Sequence, residues 1–298
     1  MTPNTETPNT RTTIDRPDQK IKASTQNSSN SWVKWALIGF VFLYLSLIIF
    51  IPAINVFVQA FSGGIAGFLH TLTEREFLHA VNLTLIIAAI VVPVNTIFGL
   101  CAAWALARNR FPGRAFLLSV LDLPFAISPV VAGLMIVLLY GRQGWFGPML
   151  QTLDIKIIFA LPGMMLATAF VSLPFVAREV IPVLEEVGPE QEEAAKTLGA
   201  KDGQIFWRVT LPNIRWGLVY GIILTNARAM GEFGAVSVVS GNIVGKTQTL
   251  PLFVEEAYKQ YQTQASYTAA TLLACLAIVT LIVKEIVERR TGIKKGAG

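Results

Sequence analysis

Arg228 and Glu232 stand four residues apart inside an apolar run, 217–239, and Phe233 follows directly. A charged side chain at the centre of such a run costs about 2.5–3.5 kcal/mol on insertion scales, so both need a reason to be there. Their i and i+4 spacing puts them on one helix face, where they neutralise each other. The neighbouring Gly231 and Gly234 let other helices come near. The set Arg228, Glu232 and Phe233 either lines or gates a pathway between helices or only locks helices together. A guanidinium attracts anions, but a site that held one tightly would not release it. Asp122, in another apolar run, is a further candidate of this kind.

Other constellations carry no chemistry. Gly241-Asn242-Ile243-Val244-Gly245-Lys246-Thr247 imitates a phosphate-binding loop, but has three residues between its glycines instead of four and no strand before it. His70 and His79 are the chain's only histidines and read as loop residues rather than a metal pair. Cys101 and Cys275 lie inside apolar runs and read as small packing residues. No plausible Ser, His and carboxylate set, no paired catalytic carboxylates and no cysteine-rich metal motif is expected at membrane depth. No catalytic residue, metal or bound cofactor is therefore assigned to the chain.

The elements that must position these residues are membrane helices. With 53% hydrophobic and 14% charged residues and a mean hydropathy of +0.55, the solvent for most of the chain is lipid. Six apolar stretches are long enough to cross a bilayer, at 35–57, 81–106, 116–140, 157–176, 217–239 and 268–287. No two-residue alternation competes, so they are expected to be helices. Residues 1–31, rich in Thr, Asn, Pro and Ser, read as a disordered tail. An anchor helix over 32–61, a transmembrane domain over 78–287 and a second tail over 288–298 complete the expected organisation.

The net charge of +5 could suggest nucleic acid, but Lys and Arg lie in short loops between the apolar runs. Assuming six crossings, eighteen of them fall on one side, and only Arg75, Arg142, Lys156, Lys246 and Lys259 on the other. Both termini are thus expected in the cytoplasm. Prolines at 52, 93, 124, 129, 162 and 174 should bend or interrupt their spans. Gly99, Ala103 and Ala107, with Gly217 and Gly221, form small faces for close packing within the chain or with a partner.

One connection is long: about forty residues separate the fourth and fifth spans. Within it Gly188-Pro189 opens a helix, Glu190, Glu192 and Glu193 suit its positive end, and Gly199 stops it. Asp202 is expected to cap a second helix that Leu211-Pro212 ends. The string Glu193-Ala194-Ala195, three residues, Gly199, nine residues, Val209-Thr210-Leu211-Pro212 resembles the signature of binding-protein-dependent ABC importer permeases. Val209 replaces the usual isoleucine and keeps its shape. The resemblance implies that Glu193, Ala194, Ala195, Gly199, Val209, Leu211 and Pro212, within a coupling segment 185–212, dock on an ATP-hydrolysing subunit.

Three further stretches are similar to sulfate and molybdate permeases: Asn226 through Ala235, Ser128-Pro129-Val130-Val131-Ala132-Gly133, and Gly141-Arg142-Gln143-Gly144-Trp145-Phe146-Gly147. The run from Gly231 to Leu252 is closest to the sulfate and thiosulfate type. This resemblance implies an all-α transmembrane domain of a type I importer in the inner membrane. It also implies a pair of ATPase subunits that hold the ATP and magnesium, a related permease chain and a periplasmic sulfate-binding protein. Molybdate or tungstate is the alternative cargo. An ion-gradient-driven anion transporter is the rival class, opposed by the long docking segment and the lack of an evident inverted repeat.

Overall fold

The computed structural model describes residues 31–291, with side chains over 32–286. The tails read at 1–31 and 288–298 lie almost wholly outside the described residues, apart from helical backbone at their inner ends. Every regular element described is helical. α1 (Ser31–Leu45), a π turn (Ser46–Phe50) and α2 (Ile51–Ala60) run on as one apolar helix. Then come α3 (Gly64–Thr73), α4 (Arg75–Arg108), α5 (Arg114–Ala126), α6 (Pro129–Tyr140) and α7 (Gly147–Thr152). The remainder is α8 (Leu161–Ser172), α9 (Pro174–Val187), α10 (Glu190–Thr197), α11 (Asp202–Ile205), a second π turn (Phe206–Thr210), α12 (Leu211–Met230), α13 (Gly234–Ser240), α14 (Leu250–Lys259) and α15 (Thr263–Thr291). The described residues up to Pro52 form one unit, and those from Ala53 onward form a second, which holds all the candidate functional residues.

Among the described residues four helices are long and apolar enough to cross a membrane, Trp32–Ala60, Arg75–Arg108, Leu161–Val187 and Thr263–Ile286. The third and fifth expected spans are not single rods. α5 and α6 meet at 107°, and the helix over Asp202–Met230 meets α13 at 49°, so the total is six only if each bent pair is one span. Proline accounts for the sharper break. Pro129 opens α6 and holds Ser128 extended (ψ 135°), as the residue before a proline must be. Pro93 and Pro182, by contrast, sit within continuous helices. α3 and α14 were not expected, since ten-residue helices fall below the length that marks a span.

The centre of the second unit is a three-helix contact of α4, α9 and α12. A Cβ at Gly99 would lie 2.7 Å from Cβ of Val176, and one at Gly221 2.9 Å from Cα of the same valine. Both small faces read in the sequence therefore serve packing within the chain, with Val176 of α9 set between them. Around it Ala103, Leu106, Val180, Ile181, Leu184 and Ile214 are buried. Further along the bundle, Leu83, Ile87, Met164, Ala167, Val236 and Val239 make a second core. Asn95 ties α4 to α8: its amide donates to the Ala169 carbonyl and to Ser172 Oγ, both at 2.9 Å, so this buried polar group is satisfied.

Cys101 and Cys275 do not pack in the core; both are exposed. An apolar run marks a lipid-facing side as readily as an interior one, so the sequence could not tell these faces apart.

Candidate functional site

Two places carry the expected functional residues, the segment between α9 and α12 and the bend between α12 and α13. In the first, α9 ends at Gly188 with φ 70°, and Pro189 sits at the start of α10. Glu190, Glu192 and Glu193 occupy the first turn, where carboxylates meet the positive end of the helix. Gly199, with φ 84°, turns the chain out of α10, and the Ala200 amide closes that turn on the Ala195 carbonyl at 3.1 Å. The Gln204 side chain accepts from the Lys201 amide at 3.0 Å and starts α11, so Asp202 is the first helical residue rather than the cap.

Leu211-Pro212 does not end that second helix. The backbone runs from Asp202 to Met230 as one helix, because the π turn over Phe206–Thr210 absorbs the proline. The Leu211 amide reaches back five residues to the Phe206 carbonyl, which opens the turn that a proline ring would otherwise crowd. The same device precedes Pro52, where the Ile51 amide donates to the Ser46 carbonyl. The coupling segment is therefore one short helix lying against the foot of a long one.

Its surface is divided. Glu193, Ala194, Gly199 and Pro212 are exposed, and Ala195, Val209 and Leu211 are half-buried. Beside them two apolar side chains stand out, Leu198 at 88% and Trp207 at 68% exposure. Neither Leu198 nor Trp207 figures among the motif residues, and only their exposure reveals them. Glu192 points the other way. Its carboxylate takes a bidentate pair of hydrogen bonds from Arg108, each 3.0 Å, and a third from Thr210 Oγ1 at 2.8 Å. Arg108 also donates to the Leu184 carbonyl at 2.6 Å.

At the second place Glu232 is 3% exposed. One carboxylate oxygen lies 2.7 Å from Arg228 Nη1, and the other accepts from the Ala235 amide at 2.8 Å, capping α13. Two of the three stretches that resembled the same permease group, Ser128–Gly133 and Asn226–Ala235, meet here. A Cβ on Gly133 would lie 2.6 Å from the Ala235 carbonyl oxygen, and one on Gly234 2.9 Å from Pro129 Cβ. The bend of α5 into α6 thus nests in the bend of α12 into α13. Asp122 lies elsewhere, 2.8 Å from Arg178 Nε, with that guanidinium 5.0 Å above the Phe125 ring. The glycine-rich stretch at 241–247 is a turn in which Asn242 donates to Glu256 at 3.1 Å.

Residues 95–293 match the family described as binding-protein-dependent transport system inner membrane component. The chain belongs to this family. Two sulfate transport system permease proteins CysW share 67% identity over 260 residues (Synechocystis, 87% of this chain and 94% of that one) and 66% over 264 (Synechococcus elongatus, 89% and 92%). A different permease, the sulfate transport protein CysT of Escherichia coli, is 37% identical over 255 residues, 86% of this chain and 92% of its own. Among solved structures, a chain of a bacterial alginate ABC transporter, in complex with an alginate pentasaccharide-bound periplasmic protein, superposes with a TM-score of 0.73 over 88% of this chain and 96% of that one, at 16% identity.

The fold is therefore that of a type I importer transmembrane domain, in a multi-pass membrane protein. The family match begins within α4 and takes in both candidate places, leaving α1, α2 and α3 outside it. Glu232 is enclosed by Thr84, Ile87, Thr168, Val236 and Thr249 of its own chain, whereas Arg228 and Phe233 keep 30% and 38% of their surface. The carboxylate thus bridges α12 and α13 from a buried position.

A stability measurement checks this. Glu232→Gln leaves Arg228 unpaired and is expected to destabilise the solubilised protein by about 1–3 kcal/mol, and Glu232→Ala, which also strips the acceptor from Ala235, by more. Unchanged thermal unfolding in both, with altered uptake, would move Glu232 from the lock to the pathway.

Proposed function

We propose that this chain is a permease subunit of an ATP-driven sulfate importer, carrying thiosulfate as well, in which it supplies no catalytic residue. The 67% identity to a sulfate transport permease across nearly the whole of both chains carries the reading. In the complex a second, CysT-like permease chain pairs with this one, and the anion passes between them. Two ATPase subunits, which hold the ATP and magnesium, dock on the segment from Glu193 to Pro212, and a periplasmic sulfate-binding protein delivers cargo from outside. Both termini face the cytoplasm, consistent with the excess of Lys and Arg on that side.

The mechanism follows from the divided surface of the coupling segment. ATP binding draws the two ATPases together and pulls on α10 through Glu193, Ala194 and the turn at Gly199. Because α10 is bonded to the feet of α4, α9 and α12, these helices rock and open the pathway outward, and hydrolysis resets them. Arg228 and Phe233 border the pathway at the bend, near enough to attract an anion, with Glu232 keeping Arg228 from holding it.

Reconstitution tests the whole. In liposomes containing this chain with its sister permease, ATPase and binding protein, labelled sulfate uptake is expected to require ATP, to vanish without the ATPase and to be poorly competed by molybdate. Uptake by this chain alone under an ion gradient would instead make it a secondary transporter.

A further inference from the structure

Coupling needs a path along which a push on α10 reaches the membrane, and α10 is short and polar. No apolar side chain of α10 is buried, so apolar packing does not bind it to the bundle. What holds it is polar. Glu192 and Arg108 expose only 17% and 11% of their side chains, and they meet through two parallel hydrogen bonds of 3.0 Å. The remaining Arg108 nitrogen donates to the Leu184 carbonyl at 2.6 Å, and Thr210 completes the carboxylate at 2.8 Å. Asn213 adds a bond to Gln191 at 2.7 Å. Four elements therefore converge on one carboxylate and one guanidinium: the end of α4, the last turn of α9, the first turn of α10 and the π turn that leads into α12.

We infer that Arg108 and Glu192 form the rigid joint of the coupling segment, as positioning residues through which the motion of α10 is delivered to α4, α9 and α12. Glu193, which carries the family resemblance, faces out toward a partner; its neighbour Glu192 carries the load inward. The geometry suits that task. A bidentate guanidinium and carboxylate pair fixes orientation as well as distance, and removal of either partner leaves the other charge buried and unpaired. The adjoining Arg114 and Glu185 pair is more exposed, 33% and 48%; with the bond from Arg114 to the Leu106 carbonyl at 2.7 Å it joins α5 to α9 and α4, but it does not reach α10, so it cannot replace the joint.

This inference rests on the importer reading, and one experiment separates the two. The complete complex is reconstituted in liposomes, and sulfate uptake, ATP hydrolysis and co-purification of the ATPase are measured for wild type, Arg108→Gln, Glu192→Gln and the exchanged pair Arg108→Glu with Glu192→Arg. Each single variant is expected to retain the ATPase and its hydrolysis but to lose sulfate moved per ATP by roughly tenfold or more. The exchanged pair should regain part of it, since the ion pair re-forms while the bond to the Leu184 carbonyl does not. Wild-type uptake per ATP in the single variants would overturn the joint. If the single variants fail to accumulate, the exchanged pair decides: recovery of coupled uptake supports the joint, and a chain that accumulates but stays uncoupled overturns it. No ATP-dependent uptake in wild type would instead refute the importer reading, independently of Arg108.

Discussion

Gly199→Asp is expected to abolish ATP-driven uptake while leaving membrane insertion intact and lowering thermal stability only modestly. The two halves of that expectation have separate physical causes. At φ 84° a side chain is strained, but nothing lies within 4 Å of the Cβ position, and Asp is among the residues that best tolerate the left-handed region. The local penalty is about 1–2 kcal/mol. The new carboxylate, however, stands in the turn between Leu198, 88% exposed, and the start of α11, on the surface proposed to meet the ATPase. An unpaired charge buried in that contact costs about 3–5 kcal/mol, two or more orders of magnitude in association. Co-purification of the ATPase and labelled sulfate uptake measure the effect. Gly199→Ala serves as the control, since it imposes a comparable strain without the charge. Normal uptake in Gly199→Asp would mean that the partner docks elsewhere.

How far the sequence carries depends on whether a feature is written in local chemistry. Apolar helices, the start of α10 after Pro189 and its stop at Gly199 follow from side-chain pattern and backbone freedom, and are present, though the third and fifth expected spans are bent pairs. The small faces at Gly99 and Gly221 were legible as contacts, but not as contacts with the same valine, because spacing gives a face and not its partner. Leu211-Pro212 misled for an instructive reason. Proline ends a helix only where the preceding turn cannot open, and a π turn is invisible in composition. The role of Glu192 was hidden by Glu193 beside it: in a run of three glutamates, only the arrival of Arg108, 84 positions earlier in the chain, distinguishes the buried one. Likewise Arg228 and Glu232 announce a pair, yet spacing does not say that the carboxylate is buried in the bundle, beside a small cavity that Thr84, Thr168 and Thr249 also line.

The joint at Arg108 can act only if the helices it pulls move as a body, and Gly221 tests that condition. Gly221→Leu is expected to lower the stability of the solubilised chain by about 3 kcal/mol or more and to reduce its accumulation in the membrane. The new Cβ would sit 2.9 Å from Val176 Cα, a backbone atom that no rotamer change can withdraw. α9 cannot retreat from it, because on its other side Gly99 of α4 already brings Val176 within 2.7 Å of where a Cβ would be. Val176→Ala should therefore fail to rescue Gly221→Leu, since it trims the side chain and leaves the Cα in place. Gly39→Leu, at a position with nothing within 4 Å, supplies the contrasting variant and should leave stability unaffected. Thermal unfolding in detergent, followed by fluorescence, ranks the three. Rescue by Val176→Ala would show that α9 and α12 slide past each other freely, and a push on Glu192 would then be dissipated between helices instead of opening the pathway.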